Sequence, residues 1–285
     1  MRKIGEIFRV FRESRGFKLK DMENAGISTS QISRFEKGES DLTITKFISA
    51  LDCINLSIEE IIYAVHDFKQ DDLTELLKEI KKCYLENDSA HLQKILIREL
   101  EKPKDNFSKM NTILLKIKLQ ELTKKVWYNE EDIATLIDYL FSVEYWGYYE
   151  IQLFGNTMEV FNHKTFNTLT REMIHRSNFY KEISTHKRLI SSLTLNAYII
   201  CIERNEIFDA YYFEKVIKNF YFDESEIYER LIFKYANAYC DFKVNKSTSS
   251  ILEMKKVIGF MKSVECTQLA EQYEQHLDKI ISNIH

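Results

Sequence analysis

The stretch STSQISRFEKGESDLTITKF (Ser28–Phe47) decides how the start of this chain is organised. Ser28 is a favourable N-cap for a helix over Thr29–Glu36. Only two residues of this helix are large and apolar, Ile32 and Phe35. A helix that merely closed a core would carry a wider apolar stripe. The stretch therefore predicts a short helix that keeps most of its side chains free for a partner.

Apolar residues at helical spacing predict four more helices, before and after this one. They lie near 3–15, 18–23, 43–53 and 57–65. Four of the seven glycines fall within the first 38 residues, as expected for short helices joined by tight turns. We therefore expect a compact five-helix domain over residues 1–66. Its boundary is expected in the polar stretch His66–Asp72.

The outward side chains of the predicted helix have the chemistry of DNA recognition. Gln can form two hydrogen bonds with adenine, Arg can form two with guanine, and Ser and Thr can bond either. A helix N-terminus offers N–H groups to a phosphate, and the major groove admits such a helix. Residues 1–37 hold nine Lys and Arg against five Asp and Glu, although the whole chain has a net charge of −4. The pattern favours DNA binding; a module kept only for protein contacts is the open alternative.

The segment GISTSQISRFEKGES (26–40) resembles the second half of the helix-turn-helix of XRE/Cro-like repressors. The shared pattern is S-x-x-x-I-S-R-x-E-x-G. The resemblance implies that Thr29, Ser30 and Arg34 face bases, with Gln31 beside them. It also implies that Lys37 lies against a phosphate.

The helix before it departs from that family, which usually opens it with a phosphate-binding Gln. FKLKDMEN (17–24) has none, so Lys18 or Lys20 would take its place. The expected DNA-binding residues are Arg12, Arg15, Lys18, Ser28, Thr29, Ser30, Gln31, Arg34 and Lys37.

Residues 72–285 read as apolar-periodic helices joined by short polar turns. They form five predicted pairs and a final capping helix, with a period of about 40 residues that is typical of an α-solenoid. The strict tetratricopeptide (TPR) consensus is absent. One proline and seven glycines in 285 residues are too few for a turn-rich β fold. The predicted fold class is all-α: an N-terminal five-helix XRE-type helix-turn-helix domain, then a degenerate TPR-like α-solenoid.

Three asparagines recur with this period: Asn156, Asn196 and Asn237 are 40 and 41 residues apart. Each is predicted to lie midway along the first helix of its pair, where Asn is unfavourable. If the first helices line a concave face, the three amides could bond the N–H and C=O groups of an extended peptide. The alternative is that each Asn satisfies a helix end or a contact between repeats.

The segment FSVEYWGYYEIQLFGNT (141–157) is similar to a stretch of the Rgg/MutR-type regulators of the RRNPP group. The resemblance implies a homodimeric transcription factor that senses a short imported peptide pheromone. Some relatives carry a cysteine just after the recognition helix, and GESDLTITK (38–46) has none, so a disulfide between DNA-binding modules is not expected. The expected peptide-binding residues are Tyr149, Asn156, Arg188, Asn196, Tyr235 and Asn237.

No other chemistry is indicated by the sequence. The five cysteines are far apart, and no histidine has a Cys or carboxylate at ligand spacing, so neither a metal nor a cofactor is expected. Phosphate-binding loops and hydrolase motifs are absent from the sequence, and an enzyme is not expected. Without an apolar run of about 20 residues or a signal-peptide core, a cytoplasmic protein with no membrane partner is expected.

Two further alternatives stay open. The aromatic cluster VEYWGYYEI (143–151) could be a ligand wall or could pack neighbouring helix pairs together. The whole chain could also be a helical-repeat adaptor that grips a protein partner instead of a short peptide.

Overall fold

The computed structural model describes residues 4–65, 72–103, 105–180, 182–220 and 224–282. These residues are helical and contain no strand. The chain divides into two compact units, Met1–Asp88 and Ser89–His285. Most of the boundary predicted at His66–Asp72 lies outside the described residues, and the division between the units comes later in the chain.

The first unit contains the predicted short helices, each within two residues of its expected ends. They are α1 (Ile4–Ser14), a 3₁₀ helix (Leu19–Ala25), α2 (Thr29–Glu36), α3 (Ile44–Cys53) and α4 (Ile58–Val65), followed by α5 (Asp72–Glu86). The second of the predicted helices is thus the 3₁₀ helix.

The core of this unit fixes how α1 crosses α2. Phe8 and Ile32 are fully buried, and the Phe8 ring meets the edge of Phe35 at 6.0 Å. A Cβ atom on Gly5 would lie only 2.0 Å from the carbonyl oxygen of Phe35. Since a backbone oxygen cannot give way cheaply, this crossing requires glycine. The outer face of α2 is thereby held in place.

A buried ion pair also joins α1 to α2. Arg12 Nε lies 2.6 Å from Glu36 Oε1, and the two side chains are each 5% exposed. Arg12 Nη2 donates to Glu36 Oε2 at 2.8 Å, and Nη1 donates to the carbonyl of Phe17 at 2.6 Å. The hydrogen bond with Glu36 raises the pKa of Arg12. The guanidinium is therefore used inside the unit.

The second unit continues the predicted succession of helices. They are α6 (Ser89–Leu100), α7 (Asn106–Thr123), α8 (Glu130–Ser142), α9 (Tyr148–Gly155), α10 (His163–Arg176), α11 (Ser184–Glu203), α12 (Ile207–Phe220), α13 (Ile227–Asn245), α14 (Thr248–Ser263) and α15 (Thr267–Ser282). No helix among the described residues is both long enough and apolar enough to cross a membrane.

The pairing of these helices follows the prediction in the later part of the unit. Helix α11 packs on α12, α13 packs on α14, and α15 closes against α14. Helix α11 also packs on both α9 and α13, so the first helices of successive pairs form a row. The structure is thus the expected degenerate TPR-like solenoid.

The earlier pairing differs from the prediction. Helix α5 belongs to the first unit, and α7 packs more extensively on α6 than on its predicted partner α8. A buried hydrogen bond from Asn111 Nδ2 to Glu99 Oε1, 3.2 Å long, joins α6 to α7. Apolar periodicity gives the face that a helix buries, but it does not give the neighbour against which that face packs.

Helix α8 ends at Ser142, before the predicted end near Gly147. Its last carbonyls accept hydrogen bonds from elsewhere: Trp146 Nε1 donates to Leu140, and Arg176 Nη1 donates to Phe141 at 2.9 Å. Trp146 is fully buried against Phe154, with ring centroids 5.6 Å apart. For this tryptophan, the packing interpretation of the aromatic cluster is confirmed.

Candidate functional site: an exposed helix face in each unit

The outer face of α2 is built as the sequence predicts. Ser28 caps the helix, its Oγ accepting from the backbone N–H of Gln31 at 3.3 Å. The short helix buries Ile32, Phe35 and the ion-paired Glu36, which leaves its other polar residues exposed or half-buried. Of the predicted DNA-binding residues, Lys18, Ser28, Ser30, Arg34 and Lys37 are exposed, and Thr29 and Gln31 are half-buried.

Neighbouring elements hold two of these side chains. Lys46, in the first turn of α3, donates from Nζ to Gln31 Oε1 at 2.8 Å. The Thr29 hydroxyl donates to Glu23 Oε1 on the 3₁₀ helix at 3.0 Å. Neither Lys46 nor Glu23 was expected at this face, because no local sequence pattern links residues that are 15 or six positions apart and lie on different helices.

The two arginines predicted to bind DNA, Arg12 in α1 and Arg15 just after it, differ in exposure. Arg12 is 4% exposed and bound to Glu36, so the prediction that it contacts DNA is wrong. The burial of the Arg12 charge could not be predicted from the sequence, because its partner Glu36 is 24 residues away. Arg15 is exposed; its guanidinium lies 5.4 Å from the Phe11 ring centroid, and Nη2 is 3.8 Å from Glu60 Oε1.

In the second unit, the row formed by α9, α11 and α13 carries the predicted peptide-binding residues. Tyr149, near the start of α9, is half-buried and turned toward α7. Its hydroxyl donates to Asn111 Oδ1 at 3.0 Å, and its ring meets Phe107 edge-on at 4.9 Å. Burial raises the pKa of the Tyr149 hydroxyl well above its usual value. This tyrosine joins helices, and its hydroxyl is already used.

Two of the three periodic asparagines are also engaged. Asn156 is the C-cap of α9, not a mid-helix residue as predicted, and its Nδ2 donates to the carbonyl of Gln152 at 2.9 Å. Asn237 lies within α13, where its Oδ1 accepts from the Tyr198 hydroxyl of α11 at 3.0 Å. For these two residues, the structure supports the alternative that each satisfies a helix end or a contact between repeats.

Asn196 is different, because it is exposed in the middle of α11. It belongs to a stripe that spans the helix while the opposite side is buried. The stripe, called the open face of α11 below, consists of Arg188, Ser192, Asn196, Ile199 and Glu203. No described residue forms a hydrogen bond with the Asn196 amide. Its acceptor and its two donors are therefore available to a ligand.

The two remaining predicted residues lie on α11 and α13. Arg188 is 65% exposed, and its Nε lies 3.2 Å from Oε1 of the buried Glu229 of α13. Tyr235 is 2% exposed, and its hydroxyl hydrogen-bonds to His276 Nδ1 of α15 at 2.9 Å. The prediction that Tyr235 contacts a peptide is wrong for the structure as described, because its ring and hydroxyl are both buried between helices.

Helix α9 lies very close to α11 beside the open face. A Cβ atom on Gly155 would be 2.6 Å from a δ-methyl group of Leu193. The glycine thus permits a close approach of the two helices, and Gln152 and Asn156 stay half-buried at the edge of the same row.

One carboxylate–histidine group was not anticipated by the sequence. Ligand atoms of His163, Glu206 and Asp209 lie within 4.8 Å of one another. His163 Nε2 is 2.8 Å from Asp209 Oδ2, and Arg171 Nη2 is 3.2 Å from Asp209 Oδ1. The hydrogen bonds from His163, Asn167 and Arg171 lower the pKa of Asp209 although burial opposes them. The bound guanidinium balances the carboxylate charge, so this group reads as an ion-pair network between α10 and α12.

A helix-turn-helix unit joined to stacked helical repeats defines a class of DNA-binding regulators with an attached recognition domain. The sequence model of the C-terminal domain of the HTH-type transcriptional regulator Rgg matches residues 93–275. A helix-turn-helix model matches residues 8–61. The chain therefore belongs to the Rgg family of HTH-type transcriptional regulators, as the resemblance of its sequence predicted.

Solved structures agree with this membership. The SHP pheromone receptor Rgg2 of Streptococcus dysgalactiae is 30% identical, with a TM-score of 0.83, over 97% of this chain and 99% of that one. A transcriptional regulator from Listeria monocytogenes EGD-e is 20% identical, with a TM-score of 0.86, over 99% and 98% of the two chains. The PrgX/cCF10 complex is 16% identical, with a TM-score of 0.76, over 99% and 93%. The last two likenesses show the fold alone.

Proposed function

We propose that this protein is a cytoplasmic, homodimeric transcription regulator whose binding to promoter DNA is controlled by a short apolar peptide. The peptide lies across the row of α9, α11 and α13. The observation that carries the proposal is Asn196, an exposed and unengaged amide at the centre of the open face of α11. The 30%-identical relative Rgg2 is described as a pheromone receptor, which supports a peptide as the ligand.

The chemistry of the row suits an extended peptide. Asn196 offers both an acceptor and donors to a peptide backbone. Asn237 has its oxygen on Tyr198, which leaves its NH₂ group without a bond to any described residue. The NH₂ group of Asn156 donates to the carbonyl of Gln152, so its amide oxygen is the group that can accept a hydrogen bond from the peptide. Asn196 therefore makes the main contact, and the other two asparagines contribute one group each.

Apolar surface beside these amides would hold the peptide side chains. Ile199 is part of the open face, and Tyr148 stands at the start of α9 with its ring 6.0 Å from that of His186. Charged groups lie at the two ends of the open face, Arg188 at one end and Glu203 at the other, and Arg188 stays in the proposed site. The row is mixed in character, with amides beside apolar side chains, which suits the backbone and side chains of a short peptide.

DNA binding uses the outer face of α2 in the major groove. Arg34 and Ser30 face bases together with Thr29 and Gln31, while Lys37 and Lys18 neutralise phosphates. Since helix-turn-helix dimers place two recognition helices in successive grooves, the operator is an inverted repeat with half-sites about 34 Å apart or a multiple of that.

The peptide controls the regulator only if it binds two arrangements of the protein with different affinity. A ligand that binds both arrangements equally shifts nothing, however tightly it binds. The proposal therefore requires that the affinity for DNA differs between the peptide-free and peptide-bound protein.

The test has two stages. The purified protein first selects duplexes from a randomised DNA library; enrichment of an inverted repeat is expected, and failure to enrich any sequence would overturn the DNA-binding role. The affinity for the enriched duplex is then measured with and without the peptide fraction of spent medium from the organism that encodes the chain. A reproducible change that Asn196→Ala removes is expected. An unchanged affinity with every fraction would instead favour a protein partner for the repeat unit.

A further inference from the structure

The side chain of Gln31 on α2 is oriented by a residue of a different helix. Lys46 Nζ donates to its Oε1 at 2.8 Å, across 15 residues of sequence. Both side chains are half-buried, so the contact is partly shielded from solvent. Hydrogen bonds with a charged partner are stronger than neutral ones, and this one ties the end of the side chain to α3.

The chemistry of the two groups fixes which end of the amide faces outward. An ammonium group can only donate, so it must face the amide oxygen and not the NH₂ group. A free glutamine can present either end to a base by rotating its amide. Gln31 bound to Lys46 keeps its oxygen toward α3 and its NH₂ group on the other side.

Resting on the DNA-binding role proposed above, we infer that Lys46 is a positioning residue that determines base specificity through Gln31. With its amide held, Gln31 acts as an N–H donor and selects a base edge that presents an acceptor in the major groove. A contact to adenine through both amide groups needs the oxygen as well, and the adenine amine would then have to share that oxygen with Lys46.

The rest of α2 provides internal comparisons for this inference. Arg34 is exposed, and no described residue forms a hydrogen bond or ion pair with it. Its base contact does not depend on Lys46. Lys37 is an exposed cation that follows α2 and has no base-reading role. Removing its charge should weaken binding to all sequences alike.

The experiment compares five variants with the wild type: Gln31→Ala, Lys46→Met, Lys46→Arg, Lys37→Met and the double variant Gln31→Ala/Lys46→Met. Each is titrated with the duplex that the wild type enriches from a randomised library and with every single-base-pair variant of that duplex. If the wild type enriches nothing, the proposed function fails before this inference is reached. Circular dichroism confirms that each variant is folded; methionine keeps most of the apolar stem of lysine.

Gln31→Ala is expected to lose roughly ten- to hundredfold discrimination at one base pair. Lys46→Met should lose discrimination at that same base pair and keep it at the pair read by Arg34. Lys37→Met should lower affinity uniformly. The Gln31→Ala/Lys46→Met double variant should show no further loss of discrimination beyond Gln31→Ala, and Lys46→Arg, which still donates, should retain most of it.

Two outcomes would overturn the inference. If Lys46→Met weakens all duplexes equally while the Gln31-dependent pair is still discriminated, Lys46 is only a phosphate contact. If Gln31→Ala leaves discrimination unchanged at every base pair, Gln31 reads no base and Lys46 has nothing to position.

Discussion

The amides of Gln31 and Asn237 are held in the same way, but in very different surroundings. In each, a donor from a neighbouring helix takes the oxygen: Lys46 Nζ at 2.8 Å and the Tyr198 hydroxyl at 3.0 Å. Gln31 belongs to a short helix that buries little, so its neighbours on α2 stay outside. Asn237 belongs to a long helix that is packed on several sides, where a polar side chain can become part of the packing.

The difference between these two helices shows where the residues of a functional face can be identified from the sequence. A short helix with two apolar anchors leaves most of its other side chains accessible, so their types indicate the partner. In stacked repeats, the residues that line a ligand face and those that join neighbouring helices occur in the same periodic pattern. Asn196 and Asn237 share a spacing and differ in exposure.

The largest expected effect concerns the one predicted DNA contact that proved to be internal. Glu36→Ala should lower the free energy of unfolding by about 3–5 kcal/mol, because the buried Arg12 would keep only the half-exposed Glu13 as a counter-charge. Urea unfolding measures the loss, and hydrogen exchange of α1 and α2 locates it in the first unit. The double variant Arg12→Met/Glu36→Leu should recover most of the stability. A loss below roughly 1 kcal/mol for Glu36→Ala would mean that the pair is exposed to water in solution.

Arg34→Ala tests the exposed side of the same unit. It should cost about 1–3 kcal/mol of binding to the enriched duplex and relax specificity at one base pair, with unfolding unchanged. Titration of single-base-pair variants of the duplex separates this result from a phosphate contact. An equal loss for all sequences would contradict the base-reading role of Arg34.

Alanine substitutions of Asn237 and Asn196 should change the free energy of unfolding by different amounts. Asn237→Ala should cost about 1–3 kcal/mol of unfolding free energy, since it removes the amide oxygen that accepts from the largely buried Tyr198 hydroxyl. Asn196→Ala should change stability by less than about 0.5 kcal/mol, because its side chain is exposed and unengaged. Urea denaturation of both variants provides the comparison. Equal losses would show that Asn196 also joins helices.

A smaller effect is expected from pH. Burial lowers the pKa of His276, with Lys279 and Lys243 adding to the shift; its ring bonds Tyr235, and its Nε2 lies 3.9 Å from a Glu203 oxygen. The unfolded state, with a histidine pKa of about 6.5, then takes up the proton first as the pH falls. The contribution to stability is complete above that value and decreases below it.

His276→Gln should therefore flatten the loss of stability between neutral and mildly acid pH. Thermal unfolding across that range measures it, with the exposed His175→Gln as the control. A pH profile that is unchanged by His276→Gln would show that this ring is not buried as described.

The fold could be predicted almost completely from the sequence, because one proline and seven glycines are too few for a turn-rich β fold and because each helix shows its own apolar period. The pairing of the helices could not be predicted. The hydrogen bond between Asn111 and Glu99 that joins α6 to α7 corresponds to no local sequence pattern. At the DNA face, capping by Ser28 was predictable from three neighbouring positions, whereas the burial of Arg12 depended on a distant partner. In the repeats, periodicity located the row but could not distinguish Asn196 from Asn237.

The central claim is that a short peptide binds at the open face of α11. Its most direct test is thermal unfolding of the full chain with the peptide fraction of spent medium, for the wild type, Asn196→Ala and Asn219→Ala, whose exposed amide lies on α12 away from the row. A ligand at about 100 times its dissociation constant adds about 2.7 kcal/mol of stability. A stabilising shift is expected in the wild type and in Asn219→Ala, and Asn196→Ala should lose it. The same shift in all three proteins, or no shift in any, would contradict the central claim.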